Sequence, residues 1–167
     1  MNRNRLTMIT QAALIAALYV ALTYVFQPIS FGEVQIRIAE ALTILPVFTA
    51  AAVPGLYIGC LLGNLLGGAV LPDVVFGSLA TLIGAVGTRM LCKKSPVLAV
   101  VPPIVSNMLI VPLVLRFAYG VLLPIPLMML SVGAGEVLSC GVLGLILYRG
   151  LVGHKDMIFR KTEEQAE

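Results

Sequence analysis

Long apolar segments alternate with short polar ones along this chain. No charged residue occurs from Leu6 to Pro28 or from Ala41 to Pro72, and a transmembrane helix needs about 20 predominantly apolar residues. The second segment holds 32 residues. As a single α-helix it would be about 48 Å long, whereas the hydrocarbon core of a bilayer is about 30 Å thick. Because Pro46 and the Val53–Gly55 sequence break helices, this segment is predicted to form two short helices.

The pattern as a whole predicts an all-α integral membrane protein built as a six-transmembrane-helix bundle in a single domain. Its composition agrees, since 59% of the residues are hydrophobic and 11% are charged, whereas a soluble domain has about 25% charged residues. A chain with so few charges lacks the polar surface needed to face water. The predicted helices span 6–28, 38–52, 54–70, 74–92, 97–119 and 126–152, with a polar outer loop at 29–37 and a charged cytoplasmic tail at 153–167.

The basic residues predict the orientation of this bundle. Cytoplasmic loops of membrane proteins carry an excess of Lys and Arg. With six helices and a cytoplasmic N-terminus, nine of the 11 basic residues lie on the cytoplasmic side, and Arg37 and Arg116 lie outside. If residues 38–70 formed one helix, the basic cluster at 89–94 would face outward instead. Both termini are therefore predicted to be cytoplasmic.

A short polar stretch, Gly32–Glu40, separates the first two predicted helices. It contains Glu33, Gln35, Arg37 and Glu40. A charge at the centre of a membrane helix costs about 2.5–3.5 kcal/mol on insertion scales, so membrane proteins keep charges for helix ends, cavities and function. Three hydrogen-bonding side chains beside one arginine, at the edge of a membrane domain, predict a binding site for a small polar ligand. A solvated loop between two helices is the alternative.

Further polar residues fall in or beside the predicted helices, in the outer half of the bundle. A buried glutamate needs hydrogen-bond donors or a cation, which favours a ligand pocket open to the outside. The candidate substrate-binding residues are Gln35, Arg37, Glu40, Asn64, Asp73, Asn107 and Glu136. Structural roles are the alternatives. Asp73 is placed to cap a helix, Asn64 to bond a neighbouring helix, and Arg37 or Arg116 to pair with Glu136.

Small residues recur every four positions on two of the predicted helices. Such rows let membrane helices approach closely. The first helix carries Ala13 and Ala17, with Ala12 and Ala16 in a neighbouring row, and the third helix carries Gly55, Gly59, Gly63 and Gly67. The alanine rows therefore predict either packing within the bundle or a docking face for a separate membrane partner.

Several classes of function have no residues to support them in this sequence. Cys60, Cys92 and Cys140 are far apart in apolar sequence and predict small buried side chains, not a disulfide framework or a zinc site. No nucleophile–base pair indicates an enzyme, and no metal, cofactor or nucleic-acid partner is expected. A self-contained proton-coupled carrier with Glu136 as its proton site stays open, although the chain lacks the inverted internal repeat expected for one.

Six short motifs together resemble the QueT family of queuosine-precursor transporters, and they cover nearly the whole chain. Each motif is short, but the combination is specific. The motifs are GEVQIRIAEAL at Gly32–Leu42, Leu45-Pro46, Pro54–Leu56, GNLLGG at Gly63–Gly68, DVVFGSLATL at Asp73–Leu82 and GEVLSC at Gly135–Cys140.

The resemblance implies a multi-pass protein of a bacterial plasma membrane, the substrate-binding S-component of an energy-coupling factor (ECF) transporter. Such a component captures a solute outside the cell and docks on a module of two ATPases and a membrane coupling protein. The chain has no G-x-x-x-x-G-K-[ST] phosphate loop of its own, so the module would supply the energy. The A-x-x-x-A pattern of related components assigns docking to Ala13 and Ala17, with Ala12 and Ala16 as the alternate row.

The substrate class that the resemblance implies is a 7-deazaguanine, such as preQ1, preQ0 or queuine. A guanine-like face offers an N–H and an amine side by side, which one carboxylate can accept as a pair. The aminomethyl group of preQ1 is cationic and needs a second carboxylate. Glu40 and Glu136 are expected in these two roles, with Asp73 in reserve, and an amide such as Asn64 or Asn107 suits the ring carbonyl. An S-component for a different vitamin is the alternative within this class.

Cysteine labelling tests the predicted orientation. In a background without the three native cysteines, a membrane-impermeant thiol reagent applied to intact cells should label Glu33→Cys, which is predicted to lie outside. It should miss Lys94→Cys, which is predicted to lie in the cytoplasm. Lysing the cells should expose both positions and serves as the control. Labelling of Lys94→Cys but not of Glu33→Cys would reverse the orientation.

Overall fold

The computed structural model describes residues 3–27 and 37–159, and within those ranges the secondary structure consists of helices without strands, as predicted. The first helix contains few charges, and the last long one ends just before the charged C-terminal segment. The helices are α1 (Arg3–Val25), a 3-10 helix (Ile38–Val47), α2 (Ala52–Leu66), α3 (Leu71–Leu91), α4 (Pro96–Phe117), α5 (Ile125–Val152) and the single turn α6 (Lys155–Ile158).

Four of these helices, α1, α3, α4 and α5, are long and apolar enough to cross a membrane, whereas the 3-10 helix and α2 are shorter. At about 2.0 Å per residue the 3-10 helix is about 20 Å long, and α2 is about 22 Å long at 1.5 Å per residue. Both fall short of a hydrocarbon core of about 30 Å. The part of the chain that the structure describes therefore has four candidate spans and two short apolar helices.

Contacts between helices fix their relative directions. Successive glycines of α2 meet successive residues of α1, so these two helices run parallel; the pairs are Gly55–Ala12, Gly59–Ala16 and Gly63–Thr23. The chain must therefore return across the bundle between them, and the 3-10 helix makes that return. It runs parallel to α3, because Glu40 contacts Thr81 while Pro46 contacts Arg89 eight residues further along α3.

The remaining long helices alternate in direction. Helix α3 runs opposite to α2, since Asn64 contacts Asp73 and Cys60 contacts Thr81. Helix α4 runs opposite to α3, because Thr88 near the end of α3 donates a hydrogen bond to the carbonyl of Ala99 near the start of α4. Helix α5 reverses direction again. As a result, the start of α1 and the end of α5 lie at the same end of the bundle, together with the basic C-terminal end of α3.

The 3-10 helix lies at the centre of the bundle and contacts each of the helices α1 to α5. Eight of its residues, Ala39 to Pro46, are buried. Side chains three residues apart are eclipsed in a 3-10 helix, so this segment presents three separate rows to its neighbours. The rows are Ala39–Leu42–Leu45, Ala41–Ile44–Val47 and Glu40–Thr43–Pro46.

Each apolar row of the 3-10 helix joins its own part of the core. The row with Leu42 packs in one cluster with Ile15 of α1 and Leu56 of α2. The row with Ile44 packs in a second cluster that includes Val100 of α4 and partly buried residues of α5. The third row carries the polar side chains. The 3-10 geometry thus separates two apolar surfaces from one polar surface within ten residues.

The structure corrects several predicted helix boundaries. The helix predicted at 38–52 is a 3-10 helix that ends at Val47. The third helix was expected to begin at Pro54 and begins two residues earlier, at Ala52. Pro72 was expected to precede a helix, yet it lies in the first turn of α3, where a residue without an N–H loses no helical hydrogen bond. In place of the ranges 6–28, 54–70, 74–92, 97–119 and 126–152, the helices span 3–25, 52–66, 71–91, 96–117 and 125–152. Residues 28–36 and 160–167 of the predicted loop and tail lie outside the described residues.

The two alanine rows of α1 have different surroundings. Ala16 is 7% exposed and lies against Gly59, where a Cβ atom would approach the Ala16 Cα to 3.0 Å. Ala12 meets Gly55 in the same way, with its carbonyl oxygen 2.7 Å from the Cβ position. Ala13 and Ala17 are exposed. Packing within the bundle therefore uses Ala12 and Ala16, and it leaves Ala13 and Ala17 on the outer face of α1.

The close approach of α1 and α2 predicts that Gly59→Ala destabilises the protein. The added Cβ would lie 2.7 Å from the Cβ of Tyr19, and overpacking of this kind costs about 1–3 kcal/mol. Thermal unfolding of the purified protein should show a lower Tm. Gly150→Ala is the matched control, because nothing lies within 4 Å of its Cβ position. Equal Tm values for Gly59→Ala and the unmodified protein would contradict the tight packing.

Candidate functional site

The centre of the site is Glu40, the first residue in the polar row of the 3-10 helix. Its side chain is fully buried. One carboxylate oxygen, Oε1, accepts hydrogen bonds from the Tyr19 hydroxyl of α1 and from Thr81 Oγ1 of α3, the latter at 3.1 Å. The other oxygen, Oε2, is buried and accepts no hydrogen bond from the residues that the structure describes. Two neighbouring helices thus hold the carboxylate in place while one of its oxygens stays available.

A second carboxylate, Glu136 of α5, lies next to Glu40. It is 3% exposed, and its Oε2 accepts a hydrogen bond from the Cys140 thiol at 3.1 Å. A carboxylate oxygen from each glutamate and the sulfur of Cys140 all lie within 4.8 Å of one another. The Asn107 amide of α4 lies beside both carboxylates and interacts with each of them. Such a set of atoms can hold a cation or several hydrogen-bond donors.

The backbone changes form next to Glu136. Residues Val137–Leu143 of α5 form a π-helix, a rare arrangement that is frequent at functional sites. Within this segment Ser139 and Cys140 are buried, and the Ser139 hydroxyl makes no hydrogen bond to the described part of the chain. The π-helical segment thus places two polar side chains directly after Glu136, at the face that meets the 3-10 helix.

The two glutamates make no direct ion pair within the described ranges. No Lys or Arg of residues 3–27 and 37–159 lies within ion-pair distance of Glu40 or Glu136. Arg116, one of the two arginines considered as a partner for Glu136, donates a hydrogen bond to the carbonyl of Val121 at 3.0 Å. Buried carboxylates need donors or a counter-charge. Within the described residues, the pair therefore depends on the hydrogen-bond donors around it and on the charge of Arg37, which acts on both carboxylates from beyond ion-pair distance.

A second polar cluster lies around Asp73. This residue is 1% exposed, and its Oδ2 is 3.4 Å from Arg37 Nη2 and accepts a hydrogen bond from the Tyr119 hydroxyl at 3.0 Å. Asn64 Nδ2 donates to the Asp73 carbonyl at 3.4 Å. Asp73 makes no capping hydrogen bond, although it lies in the first turn of α3. Its carboxylate instead orients Arg37 and Tyr119.

Tyr119 lies in the loop between α4 and α5. Partial burial raises the pKa of its phenol, and the neighbouring Asp73 carboxylate raises that pKa further. The phenol therefore keeps its proton and stays a donor to Asp73. Gly77 leaves the space that this cluster needs, because a Cβ there would lie 2.9 Å from Asp73 Oδ1 and 3.2 Å from Asn64 Nδ2.

Cys60 connects the two clusters. Its sulfur lies 3.3 Å from Thr81 Oγ1, which donates to Glu40, and 3.6 Å from the Asn64 amide, which donates to Asp73. A continuous series of polar contacts therefore joins the two clusters. Of the candidate residues from the sequence, the structure brings together Arg37, Glu40, Asn64, Asp73, Asn107 and Glu136, and Gln35 lies outside the described residues.

Sequence reasoning missed three residues that complete the site. Tyr19 and Thr81 donate to Glu40, and Cys140 donates to Glu136. Cys140 was expected to be a small buried side chain, and it is buried, but its thiol is also a polar partner. Its spacing of four residues from Glu136 was the available signal, since residues four apart share one face of a helix. Tyr19 and Thr81 carry no comparable signal in the sequence.

Comparison with known proteins identifies the family. The family model described as QueT transporter matches residues 9–152. Queuosine precursor transporter QueT of Lactococcus lactis subsp. cremoris (strain MG1363) is 34% identical over 85 residues, which is 50% of this chain and 50% of that protein. The match thus spans about half the length of the curated relative. No solved structure matches the chain. Because the family match runs from α1 to the end of α5 and includes every residue described in the two clusters, the chain belongs to the QueT transporter family.

Proposed function

We propose that this protein is the substrate-binding S-component of an ECF importer and that it binds a queuosine precursor, a 7-deazaguanine, at the Glu40–Glu136 site. One observation carries the proposal: Glu40 is fully buried and keeps an oxygen available beside a second buried carboxylate. Membership of the QueT transporter family and the name of the Lactococcus lactis relative support the substrate class.

The chemistry of the site suits a 7-deazaguanine. The guanine-like edge of such a base presents a ring N–H beside an exocyclic amine, and a carboxylate accepts two parallel hydrogen bonds from that arrangement. Asn107, beside both carboxylates, offers an amide that can donate to the ring carbonyl and accept from a ring N–H. A flat polar base would therefore find acceptors and a donor in one buried place.

The Asp73 cluster lies at the end of the bundle where α1 ends and α3 begins. In the proposed orientation this end faces outward and the basic ends of α3 and α5 face the cytoplasm, so the chain crosses the membrane six times with both termini inside. A solute arriving from outside would pass Arg37, Asp73 and Tyr119 before it reaches Glu40. The 3-10 helix would then cross the membrane inside the bundle, and α2 would cross it with one face towards the lipid, because Ile58, Leu62 and Leu65 are exposed.

The proposed partner is a module of two ATPases and a membrane coupling protein, which supplies the energy. The outer face of α1 is the proposed docking surface, because Ala13 and Ala17 are exposed there and small residues let another membrane helix approach closely. Ala12 and Ala16 were the alternate row. Since that row lies against the glycines of α2, the proposal assigns docking to Ala13 and Ala17.

A self-contained proton-coupled carrier is the second candidate function. One observation favours it: the carboxyl groups of Glu40 and Glu136 lie close together and make no direct ion pair within the described ranges. Acidic residues buried in membranes serve in proton relays. Uptake in cells that lack the ATPase module separates the two. Uptake that persists without the module and follows the proton gradient would favour the carrier, and uptake that is lost would favour the S-component.

Glu136→Gln tests the site. The amide is cheaper to bury than a carboxylate, so the protein should fold, but the charge-assisted hydrogen bonds to the ligand are lost. Such bonds contribute about 1.5–3 kcal/mol each, so the affinity for the 7-deazaguanine that binds best should fall by roughly 10- to 100-fold. Equilibrium titration with preQ1, preQ0 and queuine measures this change.

The control for that titration is a buried polar residue outside the site. Thr88→Val removes a 2.7 Å hydrogen bond to the Ala99 carbonyl at the opposite end of α3. This variant should be less stable and should bind the ligand as tightly as the unmodified protein. If Glu136→Gln bound all three compounds with unchanged affinity, Glu136 would have no part in the site.

Substitution of Ala13 and Ala17 by Leu tests the docking surface. The larger side chains should prevent close approach of the coupling protein, so co-purification of the module and uptake should be lost while ligand binding by the isolated protein is retained. Ala134→Leu, at an exposed position of α5, is the matched control and should leave uptake unchanged. Normal co-purification of the double variant would move the docking surface away from this row.

A further inference from the structure

We propose that an apolar cavity between α3 and α4 binds one acyl chain of a membrane phospholipid, and that Arg116 holds the phosphate of the same molecule. The α3–α4 cavity has a volume of about 410 Å³ and lies where α3 begins and α4 ends. Pro72 and Phe76 line it from α3, and residues between Ile110 and Ala118 line it from the other side. This lipid site shares no residue with the Glu40 and Asp73 clusters and does not depend on the proposed substrate.

The lining of the α3–α4 cavity is suited to a hydrocarbon chain. Every side chain that lines it is apolar. A polar solute needs a few precisely placed polar groups in its pocket, and a buried water molecule needs hydrogen-bond partners. An empty space is also unfavourable, because the atoms around it lose van der Waals contacts. An acyl chain restores those contacts and needs no hydrogen bond.

The cavity opens towards the lipid. Val114 at its inner side is 6% exposed, whereas the rings of Phe76 and Phe117 are 50% and 80% exposed. Both α3 and α4 are long and apolar enough to cross a membrane, so these exposed rings face acyl chains of the bilayer. From Ile110 to Ala118 the cavity extends about 12 Å along the direction of α4. A chain that runs across the membrane can therefore lie in it lengthwise.

Arg116 supplies a positive charge at the end of this cavity. It is next to Phe117 and three residues after Leu113, and both of these residues line the cavity. Its Nη1 donates to the Val121 carbonyl at 3.0 Å, which is the one hydrogen bond that it makes to the part of the chain that the structure describes. It forms no ion pair there. A guanidinium has five N–H donors and binds phosphate through two parallel hydrogen bonds, so Arg116 has donors left for a headgroup.

The position of Arg116 along α4 matches the depth of a lipid phosphate. It lies in the last turn of the helix, and arginines near the ends of membrane helices extend towards the interface. In the proposed orientation this is the outer interface, where basic residues are few. The other outer arginine, Arg37, pairs with Asp73. Arg116 and the cavity can therefore bind the headgroup and the chain of one molecule.

A chain in the α3–α4 cavity would also support the contact between these helices. Pro72 and Ala118 line the cavity and are the sequence neighbours of Asp73 and Tyr119. Those two residues are joined by a 3.0 Å hydrogen bond. The lipid would pack against the backbone on both sides of that hydrogen bond, so a bound phospholipid should raise the Tm of the protein, as any ligand of the folded state does.

Native mass spectrometry of the purified, delipidated full chain tests both halves of the lipid site. We would titrate the protein with three compounds. They are phosphatidylglycerol, a diacylglycerol with the same chains but no phosphate, and glycerol phosphate, which has no chains. Phosphatidylglycerol should bind as one molecule per chain and roughly 5- to 10-fold more tightly than the diacylglycerol. Glycerol phosphate should not bind at the same concentrations.

Two variants, each with a matched control, assign the binding to this cavity. Arg116→Gln removes the charge but keeps an amide that can donate to the Val121 carbonyl, and it should abolish the preference for phosphatidylglycerol. Arg149→Gln, at an exposed position near the opposite end of the bundle, should keep that preference. Ala118→Leu fills part of the cavity and should weaken the binding of both lipids, whereas Ala134→Leu at an exposed position of α5 should not.

Three results would overturn the lipid site. Equal binding by all the variants would indicate an adventitious lipid only. An equal loss of the preference in Arg149→Gln and Arg116→Gln would indicate general attraction to basic charge. Unchanged lipid binding by Ala118→Leu, together with lost co-purification of the coupling module, would make the cavity a surface for a protein partner. If Ala118→Leu does not fold, the three compounds compared on the unmodified protein and on Arg116→Gln decide.

Discussion

The burial of the Glu40 carboxylate is the constraint on which the rest of the structure depends. A carboxylate in the middle of a membrane bundle is costly unless donors surround it, and its donors here come from different helices, Tyr19 of α1 and Thr81 of α3. Both helices must therefore keep their register against the 3-10 helix. The glycines of α2 make this possible for α1, because Gly59 lets the backbone around Ala16 come close.

Helix α1 has two faces with different tasks, and the structure separates them clearly. Tyr19 and Ala16 point into the bundle, where one holds Glu40 and the other packs against α2. Ala13 and Ala17 lie on the opposite, exposed face. A change in the position of Glu40 would be transmitted through Tyr19 to the same rigid helix that carries the proposed docking surface. The candidate site and the proposed docking surface thus lie on opposite faces of one helix.

Much of the fold could be predicted from the sequence, because the distribution of charged residues marks the helices. Segments without charge give helices in a membrane protein, and the described parts of these segments form helices joined by short turns and loops. The 3-10 form of residues 38–47 was not predictable, because nearly every position there is apolar and neither a period of 3.0 nor one of 3.6 stands out. The predicted starts of α2 and α3 were also wrong, because a proline such as Pro54 or Pro72 can either end a helix or lie in its first turn.

The site was predictable only where its residues are charged or carry an amide. Glu40, Asp73 and Glu136 stand out in apolar sequence, and the structure buries all three in two connected clusters. Tyr19 and Thr81 do not stand out, because single tyrosines and threonines are common in helices that merely pack or meet the lipid. Their role depends on which helices lie next to Glu40. The packing of glycines and alanines decides which helices these are, and the polar residues themselves do not.

The threefold arrangement of the 3-10 helix has a consequence for how this protein can evolve. Successive residues of such a helix are about 120° apart, so the addition or loss of one residue after Glu40 would rotate its side chain onto the surface that Leu42 or Ile44 now occupies. Exchange of one apolar side chain for another leaves the three rows aligned. An insertion or deletion shifts all three rows at once and places a carboxylate in an apolar core. In this chain, an exchange of apolar side chains within the segment is therefore far less disruptive than a change in its number of residues.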